Sequence, residues 1–435
     1  MTETTIGAIN LGSWTNNGTV AGKVSNVTGG SPRPADAVDV LILTALREEY
    51  AAAKAAVTTA WREHDAGTAT PYLTGTHAGL SIALARATGT GGRTIASLAT
   101  ALVLRLRPRC LAMSGVCAGN PGWTAPGDIV VADPAYEYDE GKHTGGRFLG
   151  DHRHYPQDTR WLRAAQEFDP AGLPSHGEAT EDESAVWLLE RLHHGQDARK
   201  HPARERYFPR GTWNTRLRTL EERGLIVRHG SGLALTGTGR ARIERLLADD
   251  VDGPETLPFA VLAGPMASGS AVIESPGIWE MLKNLGERKI LALEMEAATI
   301  ATVAHDNQVP HWLVAKGVMD GANPEKDDRF KHFAARASAE VLYSLLARVL
   351  SASEAAPRPA GRVKVEVCRR LQYDWPDVAD VLGVPPFEQR RFQRGDEPRA
   401  LWEWLADRSR LGELGAALET VGRGDLAALL RTTST

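Results

Sequence analysis

The sequence predicts an α/β fold in which helices flank a central, largely buried sheet, with an inserted module and a C-terminal all-α bundle. Three observations lead to this prediction. Short apolar runs alternate with helical patterns in two blocks of the chain, a long stretch without such runs separates the blocks, and an Ala/Pro/Ser-rich segment precedes several short amphipathic helices. With 435 residues, the chain is long enough for two to four domains.

The composition is that of an ordinary globular protein, with 42% hydrophobic and 24% charged residues. No apolar run reaches 18 residues and the first residues lack the features of a signal peptide, so we expect a cytoplasmic protein with no membrane contact. Cys110, Cys117 and Cys368 form no CxxC pair, which argues against disulfides or a thiolate zinc site. The net charge of -4 gives no overall reason to expect nucleic-acid binding.

The apolar runs are of the type found in buried strands. They lie at 38–44, 80–85, 110–115, 128–133, 258–264, 290–295 and 311–316, and helical patterns lie at 47–57, 94–107, 296–307 and 330–350. We therefore expect one α/β domain built from two parts, 37–150 and 255–350.

An insert at 151–254 is expected between these two parts. Its pattern of helices and two short strands around HGSG resembles a winged helix, with a recognition helix from Thr212 to Arg223 and a wing at 226–236. Residues 191–247 contain 13 Lys/Arg against 5 Asp/Glu, a net charge of +8. This charge favours contact with DNA phosphates, and a protein-interaction module or lid is the alternative.

Both ends of the chain differ from the α/β pattern. Residues 1–36 are rich in Gly, Asn and Thr and predict a flexible leader; a loose similarity to amyloid-type signalling motifs is the alternative. A linker at 351–361 leads to a helical domain at 362–435. That domain resembles bacterial death-like, effector-associated domains, which implies homotypic assembly, although its tryptophans could also serve only as core. The resemblance is carried by Trp375, Leu382, Gly383, Trp402, Trp404, Leu411 to Leu414 and Gly422 to Leu426.

Polar residues follow five of the predicted strands, where ligands of open α/β sheets bind. These residues are Arg47 to Glu49, Thr88 to Arg93, Gly115 to Gly119, Glu294 to Glu296, and Asp320. Several carboxylates and two glycine-containing loops at one sheet edge suit a polyhydroxylated ligand with an anionic or oxocarbenium-like feature.

In these segments the sequence resembles the nucleoside phosphorylase and nucleosidase superfamily, particularly 5'-methylthioadenosine/S-adenosylhomocysteine nucleosidases and the nucleosidase domains of NLR-like immune proteins. The resemblance covers 38–150 and 257–350. It rests on 292–304, the glycine loop, 127–133, 138–142 and 316–328. It implies a phosphorylase-type mixed sheet.

The resemblance also implies roles for single residues. Glu49 would deprotonate the attacking water, and Asp320, beside Met319, would protonate N7 of the leaving purine. Glu296 would accept hydrogen bonds from the ribose hydroxyls while Met295 packs against the sugar. The remaining residues expected to bind substrate are Thr88, Gly89, Thr90, Gly91, Gly115, Met266, Ser268 and Glu294. No cofactor or metal is expected.

The overall expectation is a purine nucleosidase that acts on an adenine nucleoside or nucleotide, forms a homo-oligomer and serves as an effector in bacterial immunity. Phosphorolysis stays open because the glycine loop resembles a phosphate loop. Arg47, Arg86 and Arg93 add cationic residues near these loops and keep nucleotides such as ATP among the candidate substrates. Two further hypotheses are a non-catalytic nucleotide sensor that binds DNA through the insert and an enzyme of methylthioadenosine salvage.

Overall fold

The structure is a computed structural model and describes residues 37–230, 232–323, 328–354, 361–392, 395–408 and 410–431. The leader predicted at 1–36 lies outside the described residues, as do residues 324–327, which belong to the segment that carries part of the resemblance. Of the helices in the described part of the chain, none is both long and apolar enough to cross a membrane.

The strands are β1 (Val40–Thr44), β2 (Arg62–His64), β3 (Tyr72–His77), β4 (Leu80–Arg86), β5 (Cys110–Gly119), β6 (Ile129–Glu137), β7 (Gly141–Thr144), β8 (Arg147–Gly150), β9 (Ile226–His229), β10 (Gly232–Leu235), β11 (Val261–Ser268), β12 (Ala292–Glu294) and β13 (His311–Asp320). Each of the seven predicted apolar runs overlaps one of these strands. The hairpins β2–β3 and β7–β8 were not predicted.

The helices are α1 (Arg47–Ala55), α2 (Gly92–Leu106), α3 (Thr159–Gln166), α4 (Glu181–His193), α5 (Arg204–Tyr207), α6 (Trp213–Glu222), α7 (Gly237–Asp249), α8 (Ile278–Asn284), α9 (Ala297–Asp306), α10 (Lys331–Glu354), α11 (Gly361–Arg370), α12 (Trp375–Val381), α13 (Pro386–Gln389), α14 (Glu397–Asp407), α15 (Leu411–Thr420) and α16 (Gly424–Arg431). Helix α10 includes residues 351–354, which the sequence had placed in the linker.

Nine strands form one mixed sheet in the order β12-β11-β6-β13-β5-β1-β4-β3-β2, and β12 also pairs with β5. This extra pairing closes β12, β11, β6, β13 and β5 into a ring. Strands β1, β5 and β13 run parallel, with Lys316 of β13 opposite Gly115 of β5. Their carboxyl ends therefore meet at one edge, as the sequence predicted.

Two apolar cores lie on the two faces of this sheet, because its central strands are buried on both sides. Helices α2 and α9 cover one face, and α1, α3 and α10 cover the other. The backbone of α10 approaches β13 closely at Gly317, where a Cβ atom would lie 2.3 Å from the Ala334 carbonyl oxygen. The predicted α/β fold with a mixed sheet is confirmed.

The insert contains helices α4 to α7 and the antiparallel pair β9–β10, which share a separate apolar core. The order of elements agrees with the prediction, and the classification as a winged helix stays a prediction. Helix α3, placed in the insert from the sequence, packs on the α/β core instead through the buried Trp161. The separately packed part of the insert therefore begins after α3.

Helices α11 to α16 pack around one apolar core that includes Trp402 and Trp404, with Trp375 packed against it. Gly422 separates α15 from α16 and has a φ of +79°, a left-handed conformation that favours glycine. The adjacent Arg423 forms ion pairs with Asp374 and Asp425. The predicted C-terminal helical bundle is confirmed.

Candidate active site

A cavity of about 150 Å³ lies at the edge of the sheet where β1, β5, β12 and β13 end. Its lining includes Glu49, Thr90, Met295, Glu296 and Asp320. The predicted catalytic and sugar-binding residues, which come from four segments of the sequence, are therefore together around one space.

Glu49 is the second acidic residue of α1, and only 2% of it is exposed. Its Oε2 accepts hydrogen bonds from the backbone N–H groups of Ala45 and Leu46, each at 2.9 Å. Its Oε1 accepts one from Val116, also at 2.9 Å. A carboxylate has about four lone-pair sites. Three are used here, and the one that remains on Oε1 is available to a ligand.

Gly115 makes room for this carboxylate. A Cβ atom at position 115 would lie 2.4 Å from Oε1 of Glu49. The sequence predicted Gly115 as a substrate-binding residue, whereas the structure places it directly beside the Glu49 carboxylate.

Lys316 of β13 is buried between two glutamates and was not predicted as a site residue. Its Nζ lies 3.0 Å from Oε2 of Glu296 and 3.3 Å from Oε2 of Glu294. The other oxygen of Glu296 accepts the Gly91 N–H at 2.7 Å. The Glu294 side chain also contacts this carboxylate, and Glu296 lines the cavity, where it can accept hydrogen bonds from ribose hydroxyl groups.

Glu294 has a different environment from Glu296. It accepts hydrogen bonds from Ser268 Oγ and from the N–H groups of Glu296 and Ala297 at the start of α9, in addition to the Lys316 ammonium. These contacts leave little capacity for a ligand, so Glu294 positions the first turn of α9 and, with it, Glu296.

The ionisation states of Lys316, Glu294 and Glu296 depend on one another. Burial lowers the pKa of Lys316, but the charges of Glu296 and Glu294 outweigh this effect and hold that pKa above its usual range. Burial raises the pKa of Glu294. Burial acts in the same sense on Glu296, but Lys316 and the Gly91 N–H reverse it and lower the pKa of Glu296. Glu296 is therefore ionised at neutral pH.

Asp320 ends β13 and is 6% exposed. Its Oδ1 accepts a hydrogen bond from the Ala322 N–H at 2.9 Å. Met319, Cys117 and Val116 line the cavity nearby, so the carboxyl group of Asp320 has apolar as well as charged neighbours. Burial holds the pKa of the Cys117 thiol well above its usual range.

Some predicted residues do not line the cavity. Met266 is fully buried in the sheet's apolar core, and Ser268 donates its hydroxyl hydrogen to Glu294 at 2.6 Å. Thr88 and Gly89 are also absent from the lining, while Thr90 of the same loop is present. Where the sequence had placed Met266 and Ser268, the wall is formed by the following residues, Ala271, Val272 and Ile273.

Arg47, Arg86 and Arg93 are exposed and also lie outside the lining. Arg47 follows β1, Arg86 ends β4 and Arg93 follows β4, all at the same edge of the sheet as the cavity. In the described part of the chain, no three or more His, Cys, Asp or Glu side chains are grouped so that they could hold a metal ion.

A family model described as the phosphorylase superfamily matches residues 39–351, and the chain belongs to this superfamily. A second model, described as bacterial death-like domain 3, matches residues 361–433. The chain thus consists of a phosphorylase-superfamily domain followed by a bacterial death-like domain.

Individual similar proteins are distant. The chain is 24% identical over 248 residues to the uncharacterized protein y4jS of Sinorhizobium fredii. The matched region covers 56% of this chain and 44% of that protein. The chain thus spans less than half the length of this relative.

Solved structures of similar fold include the 5'-methylthioadenosine/S-adenosylhomocysteine nucleosidase of Neisseria meningitidis (15% identity, 71% of this chain and 99% of that chain, TM-score 0.44). They also include the futalosine hydrolase of Helicobacter pylori (17% identity, 71% of this chain and 97% of that chain, TM-score 0.44).

Proposed function

We propose that the chain is a nucleosidase that hydrolyses the N-glycosidic bond of an adenine nucleoside or nucleotide. The observation that carries this proposal is the presence of Glu49, Glu296 and Asp320 around one cavity. Membership of the phosphorylase superfamily supports it, because that superfamily acts on N-glycosidic bonds.

In the proposed reaction, a water oxygen bonds to C1' of the ribose while the bond from C1' to N9 breaks. Glu49 accepts the proton from the water, and protonated Asp320 donates a proton to N7, so that the purine leaves as a neutral base. Glu296 accepts hydrogen bonds from the 2'- and 3'-hydroxyl groups. The three backbone N–H groups that hold Glu49 fix the direction of its remaining lone pair, which is the orientation a general base needs.

The surroundings of the cavity favour water over phosphate as the nucleophile. A phosphate dianion at C1' would lie close to the carboxylates of Glu49 and Glu296, and like charges at short distance repel strongly in a buried site. The nearby cations Arg47, Arg86 and Arg93 do not line the cavity and would not offset this repulsion. Their position at the same sheet edge is compatible with a role in binding the 5'-phosphates of a nucleotide.

The death-like domain supports a regulated role for this activity. We propose that homotypic assembly through 362–435 controls the nucleosidase as a cytoplasmic effector of bacterial anti-phage immunity, with the protein acting as a homo-oligomer. Uncontrolled cleavage of a nucleotide pool would harm the cell, so an attached assembly domain is a sensible partner for this chemistry. Contact between DNA and the basic insert stays an alternative role for that module.

The test is chromatography of the full chain incubated with ATP, AMP, adenosine, inosine and methylthioadenosine, with and without phosphate. We expect release of free base without phosphate. Glu49→Gln and Asp320→Asn should each lower the rate by about 10²–10⁴-fold, since each removes a proton-transfer group. Glu48→Gln is the matched control and should stay within about twofold, because Glu48 lies outside the cavity lining and pairs with Lys331 at 3.9 Å in a partly exposed position.

Two results would contradict the proposal. Base release that requires phosphate and yields ribose 1-phosphate would identify a phosphorylase. Tight binding of a nucleotide with no turnover, including in the assembled protein, would identify a sensor.

A further inference from the structure

The peptide group between Gly321 and Ala322, directly after β13, forms a hydrogen bond at each of its polar groups. Its carbonyl oxygen, that of Gly321, accepts the indole N–H of Trp279 at 3.0 Å. Its N–H group, that of Ala322, donates to Oδ1 of Asp320 at 2.9 Å. One peptide group therefore connects an indole ring on α8 to the carboxyl group that we propose as the acid.

This connection restricts the position of the carboxyl group, because a peptide group is planar. Among the described residues, the only cis peptide bond lies between Asp133 and Pro134, so the Gly321–Ala322 bond is trans and its C=O and N–H point in opposite directions. A hydrogen bond that fixes the direction of the Gly321 carbonyl thus also fixes the direction of the Ala322 N–H.

The backbone at Ala322 needs support from its surroundings. Its φ is +57°, in the left-handed region that is unfavourable for a residue with a Cβ atom and that persists where the neighbouring structure holds it. Ala322 is 1% exposed and belongs to an apolar cluster against which Trp279 packs. Gly321 is confined as well, since a Cβ atom there would lie 3.1 Å from Cγ of Pro121.

Trp279 itself is half-buried and is not part of the cavity lining at Glu49. We propose that it is a positioning residue for Asp320. Its indole N–H fixes the Gly321–Ala322 peptide group, and the Ala322 N–H then sets the orientation of the Asp320 carboxyl group from which the proton passes to the purine. The indole hydrogen bond also polarises the peptide group and strengthens the contact with Oδ1. This inference rests on the proposed function, because it takes Asp320 as the proton donor.

Trp279→Phe is the test, because phenylalanine keeps an aromatic ring in the apolar cluster but has no N–H donor. With the substrate that is cleaved fastest, we expect kcat to fall about 10- to 100-fold and KM to stay within about threefold, since a misplaced reacting group costs rate more than substrate binding. Trp61→Phe is the matched control. It removes an indole hydrogen bond to the Lys54 carbonyl, at 3.2 Å, outside the cavity lining, and should keep kcat within about twofold.

A double-mutant cycle with Asp320→Ala separates positioning from a purely structural role. If Trp279 acts through Asp320, Trp279→Phe has no further effect on the rate once the Asp320 carboxyl group is absent. A role in the fold alone would lower the rate by the same factor in both backgrounds. Thermal unfolding of the unaltered protein, both single variants and the double variant establishes that each is folded.

Calorimetry with free adenine on the same proteins gives a measurement that needs no turnover. Trp279→Phe and Asp320→Ala should each weaken adenine binding about 3- to 10-fold, the effect of roughly one hydrogen bond. The double variant should bind adenine no more weakly than Asp320→Ala alone.

The inference is overturned if Trp279→Phe keeps the kcat of the unaltered protein, or if its effect multiplies with that of Asp320→Ala. Its failure is distinguishable from failure of the proposed function. Adenine binding that follows the cycle without any base release would refute the nucleosidase and leave the role of Trp279 standing, whereas base release that Trp279→Phe leaves unchanged would do the reverse. A protein that neither releases base nor binds adenine would refute both.

Discussion

Replacing Lys316 by methionine tests the electrostatic account of the site. The two side chains have similar length, so the change removes the ammonium charge with little change in volume. The exposed fraction of the side chain is 1% for Lys316, 5% for Glu296 and 2% for Glu294. The variant would therefore leave two buried carboxyl groups next to each other without their cation.

Removing one partner of a buried ion pair usually costs about 3–5 kcal/mol of folding free energy. We expect a loss of this size at pH 7.5, out of a total stability of about 5–15 kcal/mol for a typical domain. Lys331→Met is the matched control, because Lys331 lies 3.9 Å from Glu48 in a partly exposed pair. Such pairs contribute about 0–1 kcal/mol.

The loss should depend on pH. Without the Lys316 ammonium, burial and the charge of Glu296 raise the folded-state pKa of Glu294 further above the unfolded value of 4.5. A carboxyl group whose pKa is raised in the folded state destabilises the fold above pH 4.5. The lost stability returns as the pH falls toward 4.5. In the unaltered protein, Lys316 has a raised pKa, so its ionisation stabilises the fold fully below pH 10.5. Glu296 has a lowered pKa, so its ionisation stabilises the fold above pH 4.5.

Urea unfolding of both variants and the unaltered chain at pH 5.5 and 7.5 measures these effects. The difference in unfolding free energy between Lys316→Met and the unaltered protein should be larger at pH 7.5 than at pH 5.5. A loss below about 1 kcal/mol at pH 7.5, or a loss that grows as the pH falls, would refute the reasoning.

Two other substitutions test how the site is positioned. Gly115→Ala places a methyl group 2.4 Å from Oε1 of Glu49 and should lower kcat about 10- to 100-fold by displacing the base, and it should also lower the thermal unfolding temperature, because buried backbone N–H groups lose their acceptor; unchanged kcat would contradict the assigned position of Glu49. Arg206→Met leaves Asp128, whose side chain is 2% exposed, without its cation and should increase protease cleavage within the insert, whereas an unchanged cleavage rate would show that this contact does not hold the insert.

The sequence was sufficient to predict the central strands because each is buried on both faces and reads as a continuous apolar run. Hairpin β2–β3 was missed because it lies at the sheet edge, where Arg62 and Glu63 are exposed and the pattern is polar. Hairpin β7–β8 forms a separate two-stranded sheet and was missed because all four residues of β7 are exposed, so no apolar pattern marks the strand.

The candidate site was predictable where an acidic residue lies at or just after the end of a strand, as for Glu49, Glu296 and Asp320. Lys316 was missed because it lies inside an apolar run, and only the fold brings it next to Glu296, 20 residues away in the sequence. Met266 and Ser268 were predicted from the resemblance, because they lie where the family's base-contacting segment falls. The register of β11 shifts between Gly264 and Met266, and both Met266 and Ser268 are buried. The end of this strand therefore belongs to the protein interior, and the residues that follow it form the cavity wall.

The Lys316 cluster is better explained by function than by stability. Replacing a buried ion pair with apolar residues is often neutral or stabilising, so burial of three charges is weak evidence of a stabilising role. What the cluster does achieve is a fixed and ionised Glu296, because Glu294 holds the first turn of α9 while Lys316 and the Gly91 N–H lower the pKa of Glu296. A buried carboxylate that must accept hydrogen bonds from ribose hydroxyl groups needs this arrangement, since burial alone would favour its protonated form.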